Sequence, residues 1–375
     1  MHRRNLGSTG LSVSVLGLGS SPFRHGSPAI CAELMQQAID MDVTYYDTAR
    51  SYLNGEEAVA HLPVHYRDRL VIATKTGRRF GKQCLEDLQK SLRTMNTDRI
   101  DVWMTHMVRN EEEYELCTEL GGFCDIAIAA RQAGLVRATG ASFHASTEVI
   151  LRAIKERAFD VVMFQMNLIG RETVFGSSIR SYREQLLPAA RANDVSVVVM
   201  KVLAGGELRL GAPRLGFLGQ GEPVEASIRG AVRYATLHPH VATAVVGMAT
   251  SEELMRNVEA VEGVNDEMLP EFDRWTGTVA DMDRGECTRC GACLDKCPEG
   301  INIPKVFRLY DQQRFFGMDT VARYRYSELD RNAAHCSECR KCQEVCPEGF
   351  DIAKSLATAH TSLQEVVQTD AGVGA

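Results

Sequence analysis

The sequence has no excess of positive charge, because its 42 Lys and Arg residues are outnumbered by 49 Asp and Glu, which gives a net charge of −7. A chain of this sign is not expected to bind nucleic acid. It also has no apolar run long enough to span a bilayer, so no membrane partner is expected. Arg3 and Arg4 precede no apolar segment, so we see no export signal and expect a cytoplasmic protein.

A further absence concerns the fold. No G-x-G-x-x-G follows the first strand-like run, which disfavours the open, doubly wound sheet that binds dinucleotides. The chain instead alternates short apolar runs with stretches of helical periodicity up to about residue 262. After a hairpin at the N-terminus, strands are expected near residues 13–19, 43–46, 70–74, 101–105, 137–141, 161–165, 196–200 and 243–246. Eight strand–helix units predict an α/β fold, a (β/α)8 TIM barrel.

Polar side chains stand where three consecutive strand-like runs end. Asp47 ends one run and Tyr52 lies in the loop after it; Lys75 and His106 end the next two runs. In such a barrel the C-terminal strand ends meet at one face, which carries the function. A tyrosine that donates a proton needs its high pKa lowered by a neighbouring cation, and a carboxylate can hold a lysine that supplies this charge.

The pattern D-T-A-x-x-Y, then a strand ending in Lys and a strand ending in His, resembles the aldo-keto reductases over residues 4–262. The resemblance implies a catalytic tetrad of Asp47, Tyr52, Lys75 and His106. It also implies hydride transfer between a nicotinamide and a small-molecule carbonyl or alcohol, with Tyr52 as the proton donor. Lys75 is then expected to lower the pKa of Tyr52, Asp47 to fix Lys75, and His106 to orient the carbonyl.

The same resemblance implies a cofactor site at the later strand ends. Ser142 and Gln165 are expected to hold the nicotinamide carboxamide, and Met200 to cover the ring face with a soft apolar side chain. An alternative for Ser142 is a cap on the next helix. Candidates for the pyrophosphate loop and the adenosine end are Lys201, Leu203, Gly206, Gly247, Glu253 and Asn257.

The adenosine end departs from the NADPH pattern of the family. Members that bind a 2′-phosphate carry Lys, Ser or Arg at positions matching Gly247, Met248 and Glu253. A glutamate repels a phosphate dianion, whereas it can accept a hydrogen bond from a ribose hydroxyl. Only Arg256 could compensate. The cofactor is therefore NADPH or NADH, and the sequence leaves both open.

Eight of the twelve cysteines fall into two C-x2-C-x2-C-x3-C-P runs that repeat at an offset of 49 residues. This spacing is typical of two-cluster bacterial ferredoxins, in which the fourth cysteine of each run binds the other cluster. Zinc, which needs four ligands and usually two C-x2-C pairs, is the alternative. The expected ligands are Cys287, Cys290, Cys293 and Cys346 for one 4Fe-4S cluster, and Cys336, Cys339, Cys342 and Cys297 for the other. We interpret the other four cysteines as ordinary small apolar residues: Cys31, Cys84, Cys117 and Cys124.

These motifs divide the chain into four parts. We expect a barrel at 1–262, a linking helix at 263–284, a mostly helical ferredoxin-like iron–sulfur domain at 285–359 and a flexible tail at 360–375. The iron–sulfur part resembles the type found at the C-terminus of some aldo-keto reductases.

A 4Fe-4S cluster and a nicotinamide transfer different numbers of electrons. A 4Fe-4S cluster moves one electron and a nicotinamide delivers two as hydride, and no flavin motif connects them. The main hypothesis is an NAD(P)H-dependent oxidoreductase whose clusters are structural or dock a redox protein partner. A second is an electron-transfer protein. A third is a non-catalytic nucleotide sensor on the same barrel, as potassium-channel β subunits suggest, although an intact tetrad argues against it. The sequence does not identify the substrate.

Overall fold

The computed structural model describes residues 1–168, 181–210, 223–283, 287, 289 and 291–364. Its strands are Arg3–Asn5 (β1), Ser12–Ser14 (β2), Leu16–Gly19 (β3), Tyr45–Asp47 (β4), Val71–Thr76 (β5), Ile100–Val108 (β6), Val136–Phe143 (β7), Val161–Gln165 (β8), Ser196–Met200 (β9) and Val241–Gly247 (β10). Its α-helices are Pro28–Asp40, Asn54–Ala60, Val64–Arg67, Lys82–Met95, Glu111–Thr118, Phe123–Gln132, Thr147–Lys155, Leu187–Ala192, Pro223–Leu237, Ser251–Ala260, Leu269–Asp283, Ile303–Phe316, Asp319–Ser327, Lys341–Glu344 and Ile352–Gln364. None of these described helices is both long and apolar enough to cross a bilayer.

Strands β3 to β10 close into an eight-stranded parallel barrel, with β10 beside β3. The predicted (β/α)8 TIM barrel is confirmed. The first predicted strand, 13–19, is divided at Val15: its first part pairs antiparallel with β1 and its second part joins the barrel. The hairpin contributes Leu6, Leu11 and Val13 to the hydrophobic cluster inside the barrel, so it packs against the barrel interior.

The alternation of side chains along each strand separates two hydrophobic clusters. Tyr45 and Ala73 belong to the cluster inside the barrel, whereas Tyr46 and Ile72 belong to the cluster between the strands and the helices. At Gly140 a Cβ atom would lie 2.8 Å from the carbonyl oxygen of the facing strand, so only glycine lets β7 and β8 approach this closely.

The two cysteine runs in the C-terminal region are similar in conformation as well as in sequence. Two long helices begin 49 residues apart, at Ile303 and Ile352. Backbone positions with left-handed φ recur at the same offset: Arg289 and Glu338, Gly291 and Arg340, Gly300 and Gly349. The region is mostly helical, as predicted. Its last helix reaches Gln364, past the predicted boundary at 359, and residues 365–375 of the predicted tail lie outside the described residues. The division into four parts stays a prediction.

This C-terminal region contacts the barrel. The helix Ile303–Phe316 packs beside the segment Ala204–Leu210, which follows the seventh barrel strand, β9. Met318, just beyond that helix, packs against the hydrophobic cluster between barrel strands and helices. The iron–sulfur region therefore lies against a loop at the C-terminal face of the barrel.

Candidate functional site

The candidate catalytic residues share one face because of strand periodicity. Asp47 and Lys75 follow Tyr45 and Ala73 by two positions, so they point to the barrel interior at its C-terminal end. His106 follows Met104 in the same way, on the stretch of β6 where the pairing register shifts between Thr105 and Val108. The four tetrad residues all border one cavity of about 780 Å³. This volume lies in the range of small-molecule and cofactor sites.

Lys75 and Asp47 form a buried ion pair at the base of this cavity. The ammonium donates to both carboxylate oxygens, at 2.7 and 2.6 Å, and to the carbonyl oxygen of Thr48 at 2.8 Å. These bonds use all three of its donors. Only 1% of Lys75 and 4% of Asp47 are exposed, and burial raises the pKa of Asp47 against the opposing charge of Lys75. These contacts hold the Lys75 ammonium in one position.

Tyr52 lies in the loop after β4, over the ion pair. The Lys75 Nζ atom is 5.4 Å from the centre of its ring, and the His106 ring meets it edge-on at 5.6 Å. Burial, and then the charge of Asp47, raise the pKa of Tyr52. The net pKa of Tyr52 is therefore raised in this structure, and the lowering expected from Lys75 stays a prediction. The phenol is protonated at neutral pH, which a proton donor requires.

His106 is neutral in this setting. Burial, and then the charges of Lys75, His144 and Arg79, lower the pKa of His106 to about 3. A neutral imidazole offers one N–H donor. The pair of Tyr52 and His106 thus presents two neutral donor groups to the cavity.

The predicted cofactor residues divide into two groups. Those that border the cavity are Ser142, Met200, Lys201, Leu203, Gly206 and Gly247. Gln165, Glu253 and Asn257 do not border it. Ser142 lies within β7, and Ser146 precedes the next helix, so the alternative that Ser142 caps that helix is wrong. The Ser142 Oγ atom accepts the backbone N–H of Met107 at 2.9 Å.

Gln165 is 2% exposed and contacts His144, a residue that the sequence motifs did not predict. The Gln165 Nε2 atom is 3.3 Å from His144 Nδ1, and His144 borders the cavity. The sequence could have indicated His144, because it follows Ser142 by two positions and therefore lies on the same side of the strand.

At the adenosine end, the charged side chains are used within the protein. The Glu253 carboxylate accepts the backbone N–H of Ala249 at 2.8 Å, at the start of its own helix. Arg256 pairs with Glu252 at 2.7 Å and with Glu225 at 3.0 Å. The cation that could have compensated for Glu253 is thus held by two carboxylates.

Cysteines of both runs line two cavities of the C-terminal region. One cavity is lined by Cys287 and Cys293 of the first run together with Cys346 of the second. The other is lined by cysteines of both runs, Cys297 of the first with Cys336, Cys339 and Cys342 of the second. Cys290 lies outside the described residues. The cysteines assemble around two separate spaces, which fits two clusters.

The surroundings of these cavities also fit a cluster. Ile303 borders both, and Phe350 and Ile352 line the first. Within the described part of the chain, no three His, Cys, Asp or Glu side chains are placed to hold a single metal ion. A cubane holds its four thiolates farther apart than a single ion does, so cavities of this kind are compatible with the predicted 4Fe-4S ligation.

Comparison with known proteins agrees with both halves of this architecture. Residues 15–275 match the model of the aldo/keto reductase family, and residues 283–350 match that of the 4Fe-4S dicluster domain. The chain is 25% identical over 296 residues to the uncharacterized oxidoreductase YqkF of Bacillus subtilis, covering 69% of this chain and 91% of that one. It is 24% identical over 242 residues to the NADH-specific methylglyoxal reductase of Escherichia coli, covering 56% and 69%.

Among solved structures, aldo-keto reductase AKR11C1 from Bacillus halodurans is similar with a TM-score of 0.61 and 24% identity, over 74% of this chain and 96% of that one. This likeness shows a shared fold. Because the family model covers well over half of the chain, the protein belongs to the aldo/keto reductase family and is an oxidoreductase of that type.

Proposed function

We propose that the protein transfers hydride between NADH or NADPH and a small-molecule carbonyl or alcohol. The observation that carries the proposal is the arrangement of four polar groups at one cavity. Lys75 is locked by Asp47, and the rings of Tyr52 and His106 meet beside this pair at the cavity wall.

Each residue then has a defined task. The His106 N–H and the Tyr52 O–H donate hydrogen bonds to the carbonyl oxygen and hold it. Bound NADH or NADPH supplies the hydride. As negative charge grows on the oxygen, Tyr52 gives up its proton. The nearby ammonium of Lys75 stabilises the phenolate that remains, and Asp47 holds that ammonium in place.

The cavity fits a dinucleotide. Met163 on β8 and Met200 on β9 offer apolar surface on which the nicotinamide ring could lie. Gly205 and Gly206 border the same cavity with left-handed φ of 69° and 97°, and no atom would meet a Cβ at Gly206 within 4 Å. Backbone of this kind lets a pyrophosphate approach closely. Lys201 adds a positive charge at the cavity wall.

We favour NADH, or equal use of NADH and NADPH. Glu253 would repel a 2′-phosphate, and Arg256, the cation that could compensate, is paired with Glu225 and Glu252 in the described part of the chain. The similarity to a reductase named NADH-specific supports the same choice.

For the C-terminal region we propose two 4Fe-4S clusters with a structural role. Six of the seven described cysteines of the two runs lie within or against the hydrophobic cluster of that region, so the metal would join the segments that form this cluster. The contact of the helix Ile303–Phe316 with the segment Ala204–Leu210 extends this support to the barrel. Electron transfer to a redox protein partner is the second candidate, and the solvent exposure of Cys339 favours it.

Direct transfer is tested with NADH that carries deuterium at the reactive carbon of the nicotinamide. The anaerobically purified holoprotein is incubated with a panel of aldehydes and ketones, and the alcohols are analysed by mass spectrometry. Deuterium on the carbinol carbon is the expected result. Oxidation of the labelled NADH without deuterium in any product, accompanied by reduction of a one-electron acceptor, would favour the electron-transfer function instead.

A further inference from the structure

The end of β6 that carries His106 departs from regular strand geometry. Its pairing with β7 shifts register between Thr105 and Val108, and Met107, directly after His106, has a left-handed φ of 61°. For a residue with a side chain, such a conformation costs of order 1 kcal/mol or more and persists only where surrounding contacts hold it. The position of the His106 ring therefore depends on the contacts that hold its two neighbours.

One side chain, that of Arg79, holds both neighbours of His106. Arg79 lies in the loop after β5, and its Nη2 atom donates to the carbonyl oxygen of Met107 at 2.9 Å. Its Nη1 atom donates to Thr105 Oγ1 at 3.1 Å and to the carbonyl oxygen of Gly77 in its own loop at 3.0 Å. The planar guanidinium thus bridges the residues on either side of His106.

A carboxylate on the following helix fixes this guanidinium. Glu113, in the helix Glu111–Thr118, accepts from Arg79 Nη2 at 3.3 Å, and the two side chains are only 13% and 16% exposed. The Glu113 carboxylate also accepts the backbone N–H and the Nε–H of Arg109, both at 2.9 Å. Burial raises the pKa of Glu113, but the hydrogen bonds from Arg109 and the charge of Arg79 outweigh it and lower the pKa, so the carboxylate is ionised at neutral pH.

The backbone of Met107 is held from the opposite side as well. Its N–H donates to Ser142 Oγ on β7 at 2.9 Å, so both polar backbone atoms of this residue are bonded. His106 and Met107 border the cavity, whereas Arg79 does not. Arg79 can therefore act on a bound ligand only through the residues that it holds or through its charge.

We propose that Arg79 is a positioning residue for hydride transfer, which holds the end of β6 so that the His106 imidazole meets the carbonyl oxygen beside Tyr52. Glu113 completes this clamp by fixing the guanidinium. The inference rests on the proposed function. It predicts that loosening the clamp lowers the rate of the reaction, because a donor displaced by a fraction of an ångström orients its substrate poorly.

The test is a double-mutant cycle between Arg79 and His106, with the anaerobically purified holoprotein, NADH and 4-nitrobenzaldehyde. Arg79→Met should lower kcat/KM for the aldehyde about tenfold or more and leave the KM for NADH unchanged. In a His106→Phe background the same substitution should cost less than about threefold, because no imidazole is left to orient. An equal cost in both backgrounds would show that Arg79 acts independently of His106 and would overturn the inference.

Two further substitutions separate geometry from charge. Arg79→Lys keeps the charge, but its single nitrogen cannot bridge Thr105 and Met107, so its loss should lie within about threefold of that in Arg79→Met. Full activity in Arg79→Lys would show that the charge alone matters and would overturn the inference. Arg78→Met is the matched control and should keep wild-type activity, because the Arg78 side chain is 56% exposed and lies 3.9 Å from Asp87. A loss in this control as large as that in Arg79→Met would equally contradict a specific clamp.

Hydrogen exchange, followed by mass spectrometry on the holoprotein, tests the clamp without turnover. The amides of residues 104–109 should exchange about tenfold faster in Arg79→Met than in the wild type, while the other barrel strands keep their protection. Unchanged exchange in this segment, or faster exchange throughout the barrel, would overturn the inference. If the exchange responds as expected but the wild type reduces no aldehyde, the proposed function is refuted, and the clamp then exists without the role inferred for it.

Discussion

Replacing Asp47 by Asn should destabilise the barrel by about 3–5 kcal/mol, because it leaves a buried cation without its counter-charge. Lys75 is 1% exposed, and two of its three hydrogen bonds end on the carboxylate of Asp47. An asparagine keeps one acceptor oxygen and turns an N–H donor toward the ammonium. The third bond, to the carbonyl of Thr48, supplies only a dipole.

A second variant distinguishes the effect of removing the whole ion pair from the effect of leaving Lys75 without its partner. The double substitution Asp47→Asn with Lys75→Met removes the buried charge altogether, so it should recover most of the lost stability. Asp40→Asn is the matched control, because Asp40 pairs with Arg69 at 3.3 Å on the exposed surface. This exposed pair should contribute less than about 1 kcal/mol.

The measurement is urea unfolding followed by tryptophan fluorescence. Both tryptophans, Trp103 in β6 and Trp275 in the helix Leu269–Asp283, lie in the part of the chain that matches the reductase family. The signal therefore reports on the barrel rather than on the iron–sulfur region. A loss below about 1 kcal/mol for Asp47→Asn, equal to that of the exposed control, would refute a dry, charge-paired Lys75.

Four further outcomes are expected. Tyr52→Phe should lower turnover at least about a hundredfold while NADH still binds, and near-normal turnover would remove Tyr52 as the proton donor. Because the pKa of His106 is about 3 and that of Tyr52 is raised, kcat/KM for reduction should stay flat from about pH 6 to pH 9; an acidic limb with a pKa near 6.5 would contradict a neutral His106. Glu253→Arg should shift preference toward NADPH by about tenfold, measured as the ratio of kcat/KM values, unless the wild type is already NADPH-selective. Cys297→Ala should remove about four irons per chain and damage the cluster held by the second run, as seen by iron analysis and electron paramagnetic resonance; full iron content would refute crossed ligation.

The positions of the candidate catalytic side chains were predictable because they depend on local periodicity. A polar residue at a strand end, in phase with apolar residues that fill the barrel, must face the cavity, as Asp47, Lys75 and Ser142 do. Strand periodicity does not predict additional helices between the strands. Eight strand–helix units imply one helix after each barrel strand, so the additional helices Val64–Arg67 and Glu111–Thr118 were not predicted. The second begins after an Asn110 cap and has three acidic residues in its first turn.

Electrostatic details could not be predicted because they depend on contacts between distant strands. The raised pKa of Tyr52 follows from its burial and from the charge of Asp47, and the degree of burial is not recorded in any motif. The Nδ1 atom of His144 lies 3.3 Å from Gln165 Nε2 and 3.4 Å from Lys201 Nζ, and these two residues come from β8 and from the position after β9. Because an ammonium only donates, these contacts place the proton of a neutral His144 ring on Nε2. Sequence identifies which groups meet, whereas their protonation needs the geometry.

The structural role proposed for the clusters removes the mismatch between a one-electron group and a two-electron cofactor. The loop after β9 borders the cavity and contains Ala204, Gly205 and Gly206 in left-handed conformation, at φ 50°, 69° and 97°. For a residue with a side chain, such a conformation costs of order 1 kcal/mol or more and persists only where the surroundings hold it. The helix Ile303–Phe316, which begins beside both cysteine cavities, packs against this loop. If the clusters hold this helix as proposed, they would also hold the loop that borders the cavity, and the iron would then affect the proposed hydride transfer without passing an electron to the cofactor.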